Sequence, residues 1–318
     1  MGSDAVLEVT GLRKAFRGIR GGRRVAVDGL DMTVPAGVVH GFLGPNGSGK
    51  TTTLRIVLGL VRADAGAARM LGRPVPAALP AVLRQVGAIV EQPQFFPAFS
   101  GRRNLRSLAG IAGLPPGRVE EVLELVGLRD RAKDRYKTYS LGMKQRLAIG
   151  AALLRSPRLL ILDEPMNGLD PAGIHEVRET MRRLTREGAS VLLSSHILAE
   201  VEQVCDSVSI ISRGRHVRSG SVSEVLAGRP SGEVLIRIAA PEEGIQILTE
   251  AGFGARRDGT QVRVSGVTDP ALVTERLAQR GHYLAELTPV RADLESVFLE
   301  LTGPTEARPE PERKEGTQ

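Results

Sequence analysis

The sequence contains few aromatic residues, a single cysteine and no long apolar run. Phe, Tyr and Trp together make up 3% of its 318 residues, which leaves little surface for stacking nucleic-acid bases. Cys205 alone cannot form an internal disulfide and is typical of a reducing compartment. Because no stretch of about 18 apolar residues occurs, and the start lacks a basic region followed by an apolar one, we expect neither a transmembrane helix nor a signal peptide. Nucleic acid is not an expected partner.

The composition is otherwise that of a globular protein. Hydrophobic residues make up 42% of the chain, which is enough to fill the cores of one large domain and a smaller one. The formal net charge of +7 has two explanations. It reflects either an ordinary solvated surface or proximity to an anionic membrane leaflet.

A basic cluster lies between the first predicted strands. Its members are Arg13, Lys14, Arg17, Arg20, Arg23 and Arg24. The glycines among them favour a solvated flexible loop, and contact with lipid headgroups or a partner is the alternative. Phe16 lies in the same segment, where it could stack on an adenine ring or fill the core.

The most informative motif is Gly44-Pro45-Asn46-Gly47-Ser48-Gly49-Lys50-Thr51. It matches G-x-x-x-x-G-K-[ST] between a strand-like run and a helix-like run, which is the context of a phosphate-binding loop. Glycines let successive backbone N–H groups and the helix N-terminus point at phosphate oxygens. Lys50 then reaches the β- and γ-phosphates, and the Thr51 hydroxyl binds Mg²⁺.

Two further strands end in residues suited to nucleotide hydrolysis. The apolar run at residues 159–162 ends in Asp163 and Glu164. Opposite a phosphate-binding loop, Asp163 would hold Mg²⁺ through water, and Glu164 would orient or deprotonate the attacking water. His196 follows the run at 190–195, and a γ-phosphate contact is favoured over a structural histidine because both strands end at one sheet edge.

Two other polar residues have competing interpretations. Gln92 follows the apolar run at 86–90, where it is either a metal or water ligand or part of an ordinary loop. Ser140 precedes a helical pattern that extends to Leu154. It is therefore predicted to be an N-cap, and this helix N-terminus either binds an anion or is purely structural.

Together these motifs resemble the nucleotide-binding subunit of ABC transporters, over roughly residues 5–226. The resemblance implies ATP and Mg²⁺ as cofactors, with Glu164, His196 and Lys50 as the catalytic residues. It implies Mg²⁺ ligands at Thr51, Gln92 and Asp163. The implied nucleotide-binding residues are Phe16, Gly44, Pro45, Asn46, Gly47, Ser48, Gly49, Lys50, Thr51, Thr52, Gln92, Ser140, Gly142, Asp163 and Asp170.

The signature segment departs from the family pattern L-S-G-G-Q. Tyr139 replaces the Leu, Leu141 the first Gly and Met143 the Gln, whereas Ser140 and Gly142 remain. The resulting form, Ser-Leu-Gly-Met-Lys-Gln-Arg, resembles the ABC-2-like branch that exports drugs, antibiotics and lipids.

The fold class implied is α/β, in two domains. Residues 5–228 are expected to form a P-loop ABC-ATPase domain, with a RecA-like core, a β-rich lead-in and a helical subdomain at about 95–156. Residues 232–303 predict a small α+β domain in the order β-α-β-α-β. The Pro- and Glu-rich segment 304–318 predicts a disordered tail.

We therefore expect an ATP-hydrolysing subunit that powers an ABC exporter of a drug, antibiotic or lipid-like substrate. The expected partners are a polytopic membrane permease and a second ATPase subunit, identical or related, at the cytoplasmic face of the membrane. A regulatory GTPase is disfavoured because no Asn-Lys-x-Asp guanine reader is present, and a small-molecule kinase because Glu164 favours hydrolysis. The alternative that remains is a non-transport ABC ATPase acting on a soluble macromolecular complex.

Overall fold

The computed structural model describes residues 5–17, 22–91, 94–227, 230–291 and 293–302. It divides the chain into two compact units, Met1–Val222 and Ser223–Gln318. Arg20, Gln92 and the predicted tail at 304–318 lie outside the described residues.

The described part of the first unit alternates strands and helices. Its strands are β1 Ala5–Arg17, β2 Arg23–Pro35, β3 Val39–Leu43, β4 Ala65–Met70, β5 Arg73–Val75, β6 Val86–Ile89, β7 Leu159–Asp163, β8 Ser190–Ser195, β9 Ser207–Ser212 and β10 Arg215–Ser221. Its α-helices are α1 Lys50–Val57, α2 Leu79–Val82, α3 Gly101–Ile111, α4 Gly117–Leu125, α5 Leu141–Leu153, α6 Pro171–Arg186 and α7 Leu198–Val204. Short 3₁₀ turns lie at Leu83–Gln85 and Tyr136–Thr138.

The central sheet has the order β10-β9-β3-β8-β7-β6. Strands β9, β3, β8, β7 and β6 run parallel, and β10 closes one edge in the antiparallel direction. The residues of β3 and β8 are all buried, as expected for parallel strands that are covered on both faces. The carboxyl ends of β3, β7 and β8 therefore meet at one edge of the sheet, which is where ligands bind in open α/β folds.

The lead-in forms a second sheet in the order β2-β1-β4-β5. Strands β1 and β2 pair as a long antiparallel hairpin, whose apolar side contributes Leu7, Val9 and Leu30 to the core. The five described residues of the basic cluster lie on these two strands. The predicted flexible loop is therefore wrong for them, because β1–β2 pairing continues through the basic segment.

The helical subdomain comprises α3, α4 and α5, which pack on one another. Glycine allows the close approach of α4 and α5, since a Cβ on Gly150 would lie only 3.1 Å from Val122 Cγ1. Ser100 and Ser140 cap α3 and α5 by accepting backbone N–H groups.

The second unit is a small α+β fold. After α8 Val222–Leu226 come β11 Pro230–Ile238, α9 Pro241–Glu250, β12 Gly254–Asp258, β13 Gln261–Ser265, α10 Pro270–Ala278, β14 Leu284–Arg291 and α11 Leu294–Thr302. The antiparallel sheet has the order β12-β13-β11-β14, and its core includes Val234, Val262 and Leu248. The predicted order omitted β12, so the observed order is β-α-β-β-α-β, as in ferredoxin-like domains.

Candidate active site

The loop after β3 has backbone geometry that requires glycine at two positions. Gly49 is the N-cap of α1 and has φ 109°, and a Cβ there would collide with the Ala26 carbonyl oxygen. A Cβ on Gly44 would lie 2.6 Å from Ser48 Oγ and collide with the Ile211 carbonyl oxygen. No described side chain caps α1, so its first backbone N–H groups remain available to a ligand.

Lys50 holds its ammonium group against this loop. The side chain is 5% exposed, and its Nζ donates hydrogen bonds to the carbonyl oxygens of Gly44 at 2.7 Å and Pro45 at 3.4 Å. The same nitrogen lies 3.4 Å from Glu164 Oε1. A cation is therefore fixed where the loop and the end of β7 meet.

The ends of β7 and β8 are joined by hydrogen bonds through Ser194. Its hydroxyl donates to Asp163 Oδ1, and its carbonyl oxygen and Oγ accept the Glu164 N–H at 3.2 and 3.0 Å. Glu164 has φ 49°, in the left-handed region. His196 Nδ1 lies 2.8 Å from Glu164 Oε2, so the Glu164 carboxylate lies between Lys50 and His196.

These groups face a cleft of about 1020 Å³, which is at the upper end of the range for small-molecule sites. The cleft extends from Lys50, Glu164 and His196 to the end of the β1–β2 hairpin. Its lining residues are Phe16, Arg17, Gly22, Arg23, Arg24, Ala26, Asn46, Gly47, Gly49, Lys50, Thr51, Thr52, Glu164, Asn167 and His196. Phe16 is 42% exposed, which excludes a place in the core.

The signature residues lie elsewhere in the fold. Ser140 Oγ accepts the Met143 N–H at 3.2 Å, and Asp170 caps α6 by accepting the Gly173 N–H at 3.1 Å. A Cβ on Gly142 would approach Gly173 Cα at 3.7 Å. In the part of the chain that the structure describes, none of Ser140, Gly142 and Asp170 lines the cleft.

The predicted metal ligands divide into two groups. Thr51 lines the cleft and Asp163 lies at the end of β7, whereas Gln92 is outside the described residues. Its neighbour Glu91 forms an ion pair with Arg55 at 2.8 Å. Among the described residues, no cluster of three or more His, Cys, Asp or Glu side chains could hold a metal.

Some contributors to this region are not revealed by the sequence pattern. Asn167 and Ala26 line the cleft, and Ser194 orients both acidic residues. A buried serine at the end of an apolar strand carried no motif, so only the pairing of β7 with β8 reveals its role. The basic residues Arg23 and Arg24 lie at the cleft because they belong to β2 and not to the loop that the glycines predict.

Comparison with known proteins supports the resemblance to ABC transporter subunits. A family model described as ABC transporter matches residues 27–167. The ABC transporter ATP-binding protein YhcH of Bacillus subtilis is 38% identical over 302 residues, which cover 94% of this chain and 97% of that protein. The chain belongs to the ATP-binding subunits of ABC transporters. The subunit therefore binds and hydrolyses ATP to power transport.

Two further relatives extend the comparison. The daunorubicin/doxorubicin resistance ATP-binding protein DrrA of Streptomyces peucetius is 36% identical, with coverage of 93% of the subunit and 92% of that protein. Among solved structures, cbiO1 from Clostridium perfringens, part of the ABC transporter complex cbiONQ, has a TM-score of 0.63 at 28% identity. That match covers 71% of the subunit and 92% of the other chain. The predicted fold class is confirmed.

Members of this family work with membrane permease subunits, and their ATPase subunits dimerise. Within the described residues, no helix has the length and apolar character needed to cross a membrane.

Proposed function

We propose that the subunit powers an exporter of drug-like, antibiotic or lipid-like compounds. The observation that carries the ATPase part is the convergence of Lys50, Glu164 and His196 in one cleft. The export part is supported by the similarity to DrrA, which extends over 93% of the subunit.

Each converging group has a distinct part in hydrolysis. Lys50 neutralises charge on the β- and γ-phosphates, aided by the open N-terminus of α1. Glu164 orients a water molecule and accepts its proton as the water attacks the γ-phosphorus. His196, at 2.8 Å from Glu164 Oε2, keeps that carboxylate in position and can reach the γ-phosphate from the end of β8.

Oxygen donors near the phosphate-binding loop suit a magnesium ion. The Thr51 residue lines the cleft, and the Asp163 carboxylate is oriented by the Ser194 hydroxyl. One or two protein oxygens, completed by phosphate oxygens and water, are the usual Mg²⁺ environment. Thr51 and Asp163 would hold the ion, with Gln92 as the third proposed ligand, and the ion would neutralise the developing phosphate charge.

A second ATPase subunit would complete the site. Ser140 and Gly142 lie at the N-terminus of α5 and do not line the cleft of their own chain. A head-to-tail pair would bring this N-terminus to the γ-phosphate on the partner's Lys50, and Asp170 and His196 would lie at the interface. The subunit would pair with a second copy or with a related ATPase.

An aromatic surface near α3 supports docking to a permease at the inner face of the membrane. Phe96 is 62% exposed, and its ring centroid lies 5.0 Å from that of Phe99. The guanidinium carbon of Arg103 lies 3.8 Å from the centroid of the Phe99 ring. Exposed apolar surface of this kind is typical of protein contacts.

Purification from solubilised membranes tests the proposal. A tagged subunit should bring down a polytopic membrane protein, and cells that express both should accumulate less daunorubicin than cells carrying Glu164→Gln. Recovery with a soluble macromolecular complex and equal drug accumulation in the two strains would favour the non-transport alternative.

A further inference from the structure

We propose that Arg24 binds the α- and β-phosphates of the nucleotide, as a second cation beside Lys50. This inference rests on the proposed nucleotide site. It concerns a residue that no recognised motif of the chain includes.

The strand pairing directs Arg24 to the side of the hairpin that carries Phe16. Phe16 on β1 is directly opposite Arg24 on β2, and opposite residues of an antiparallel pair extend from the same face. Arg17 is opposite Arg23, so this neighbouring pair extends from the other face. Arg24 therefore lies next to the aromatic ring proposed to stack on the base.

The guanidinium of Arg24 also reaches the phosphate-binding loop. Its Nη2 lies 3.4 Å from the position that a Cβ on Gly47 would occupy. Arg24 and Gly47 both line the cleft, and Gly47, with φ 80°, presents no side chain to the guanidinium. Arg24 thus extends between the base end and the loop, where the α- and β-phosphates of a bound nucleotide would lie.

Its charge is not neutralised by a neighbour, unlike those of nearby basic residues. Arg13 lies 3.7 Å from Asp28, and Lys14 and Arg23 lie 3.0 and 3.7 Å from Asp64. In the described ranges, Arg24 has no ion pair and no hydrogen bond from its side chain. A planar guanidinium without a protein partner is well suited to bidentate phosphate contact.

The electrostatic character of the cleft agrees with this role. Its described lining contains the basic residues Arg17, Arg23, Arg24 and Lys50, and the acidic residue Glu164. Lys50 lies 3.4 Å from Glu164 and Arg23 lies 3.7 Å from Asp64, so the positive charge that remains in the described lining is that of Arg17 and Arg24, at the hairpin end. A polyanion bound along the cleft would be attracted to that end as well as to the loop.

Equilibrium binding of ATP, ADP and adenosine tests the inference, with Glu164→Gln as the common background so that no nucleotide is consumed. Arg24→Ala should weaken ATP and ADP binding by about tenfold each, equivalent to about 1.4 kcal/mol for one exposed charge-assisted contact. Adenosine binding should stay unchanged. Arg24→Lys should retain part of the affinity, and the Arg24→Ala effect should shrink as salt is raised to several times the physiological level.

Arg13→Ala is the matched control, because it removes the same charge from the same hairpin outside the cleft. Its nucleotide affinity should stay within about twofold of the background. Unchanged ATP and ADP affinity in Arg24→Ala, a loss confined to ATP, or an equal loss for adenosine would each overturn the inference. Lys50→Ala distinguishes failure of the proposed nucleotide site from failure of the role of Arg24. If Lys50→Ala also binds ATP normally, the proposed nucleotide site itself fails, whereas a defect in Lys50→Ala alone rejects only the role of Arg24.

Discussion

The N-termini of α1 and α5 differ in how their free backbone N–H groups are capped. The N-cap of α1 is Gly49, and no described side chain occupies its free N–H groups. The N-cap of α5 is Ser140, whose Oγ accepts the Met143 N–H. A hydroxyl that accepts one hydrogen bond still has a proton to donate. The end of α1 thus has no side-chain cap, whereas the end of α5 has one backbone N–H capped by its own serine, whose hydroxyl can still donate to a phosphate.

This difference suits two tasks in one reaction cycle. An open N-terminus can hold phosphates through binding, hydrolysis and product release. A self-capped N-terminus stays stable when its ligand leaves, which a subunit must tolerate if it separates from its partner after each hydrolysis. If this holds, variants at the N-terminus of α1 should affect nucleotide binding and hydrolysis, and variants at the N-terminus of α5 should affect pairing.

Glu164→Gln should have the largest effect, because it removes the proton acceptor beside the open end. We expect ATP hydrolysis to fall by about 10²–10⁴-fold, while equilibrium ATP binding stays close to wild type. A steady-state phosphate-release assay and a binding titration check the two halves of this expectation. A variant that keeps most of its turnover would remove Glu164 from the general-base role.

Lys50→Ala should weaken phosphate binding at the N-terminus of α1. Losing a buried cation at the phosphates should weaken ATP binding by about 10–100-fold. Arg55→Ala provides a control on the same helix, since Arg55 pairs with Glu91 and does not line the cleft. Equal ATP affinity in both variants would contradict the assignment of the phosphate-binding loop.

Acid should lower the free energy of unfolding through a buried histidine on β3, the strand that leads into the phosphate-binding loop. His40 on β3 is 2% exposed, and its ring nitrogens lie 2.8 and 2.9 Å from Ser207 Oγ and Ser209 Oγ. Burial lowers the pKa of His40 from 6.5 to about 4. Between these values the unfolded chain binds a proton that the folded chain does not, so stability falls as the pH falls.

The expected loss from His40 is about 2 kcal/mol of unfolding free energy between about pH 7 and pH 5. Urea denaturation at the two pH values measures it. His40→Gln should reduce this pH dependence, and the exposed His216→Gln should not. The same slope in wild type and His40→Gln would show that another group controls it.

Replacing the capping serine of α5 tests directly whether this helix end contributes to a shared site. It should have the smallest effect on stability. Ser140→Ala should cost about 1 kcal/mol, and so should Ser100→Ala, because Ser100 caps α3 through Arg103 at the same 3.2 Å. Only Ser140→Ala should also weaken ATP-dependent pairing in the Glu164→Gln background, and Ser140→Arg should abolish it. Sedimentation with ATP and Mg²⁺ measures pairing. Equal pairing of the Ser140 and Ser100 variants would contradict the shared site.

The sequence predicts which polar residues lie close together wherever they follow the end of an apolar strand. Parallel strands place their carboxyl ends at one edge, so the sequence pattern alone predicts that Lys50, Glu164 and His196 lie close together. For Phe16 the sequence leaves two roles open, because periodicity alone does not distinguish an exposed ring from a buried one.

Other features depend on strand pairing that apolar alternation does not reveal. Strand β12 contains Arg256, Arg257 and Asp258, and such a polar edge strand has little apolar alternation to reveal it. The segment that carries Arg24 predicts a loop for the same reason, although it belongs to the β1–β2 hairpin. Ser194 gains its role only when β8 lies beside β7, since its partners are 30 and 31 residues away.

The left-handed backbone of Glu164 reverses an ordinary rule of protein engineering. Glycine is usually less stabilising than alanine, but at φ 49° any residue with a Cβ is strained by about 1–2 kcal/mol. Glu164→Gly should therefore unfold at a higher temperature than Glu164→Ala, although both lack the carboxylate. Selection for thermal stability alone would favour loss of the working residue here, so directed evolution of this subunit needs an activity screen at every round.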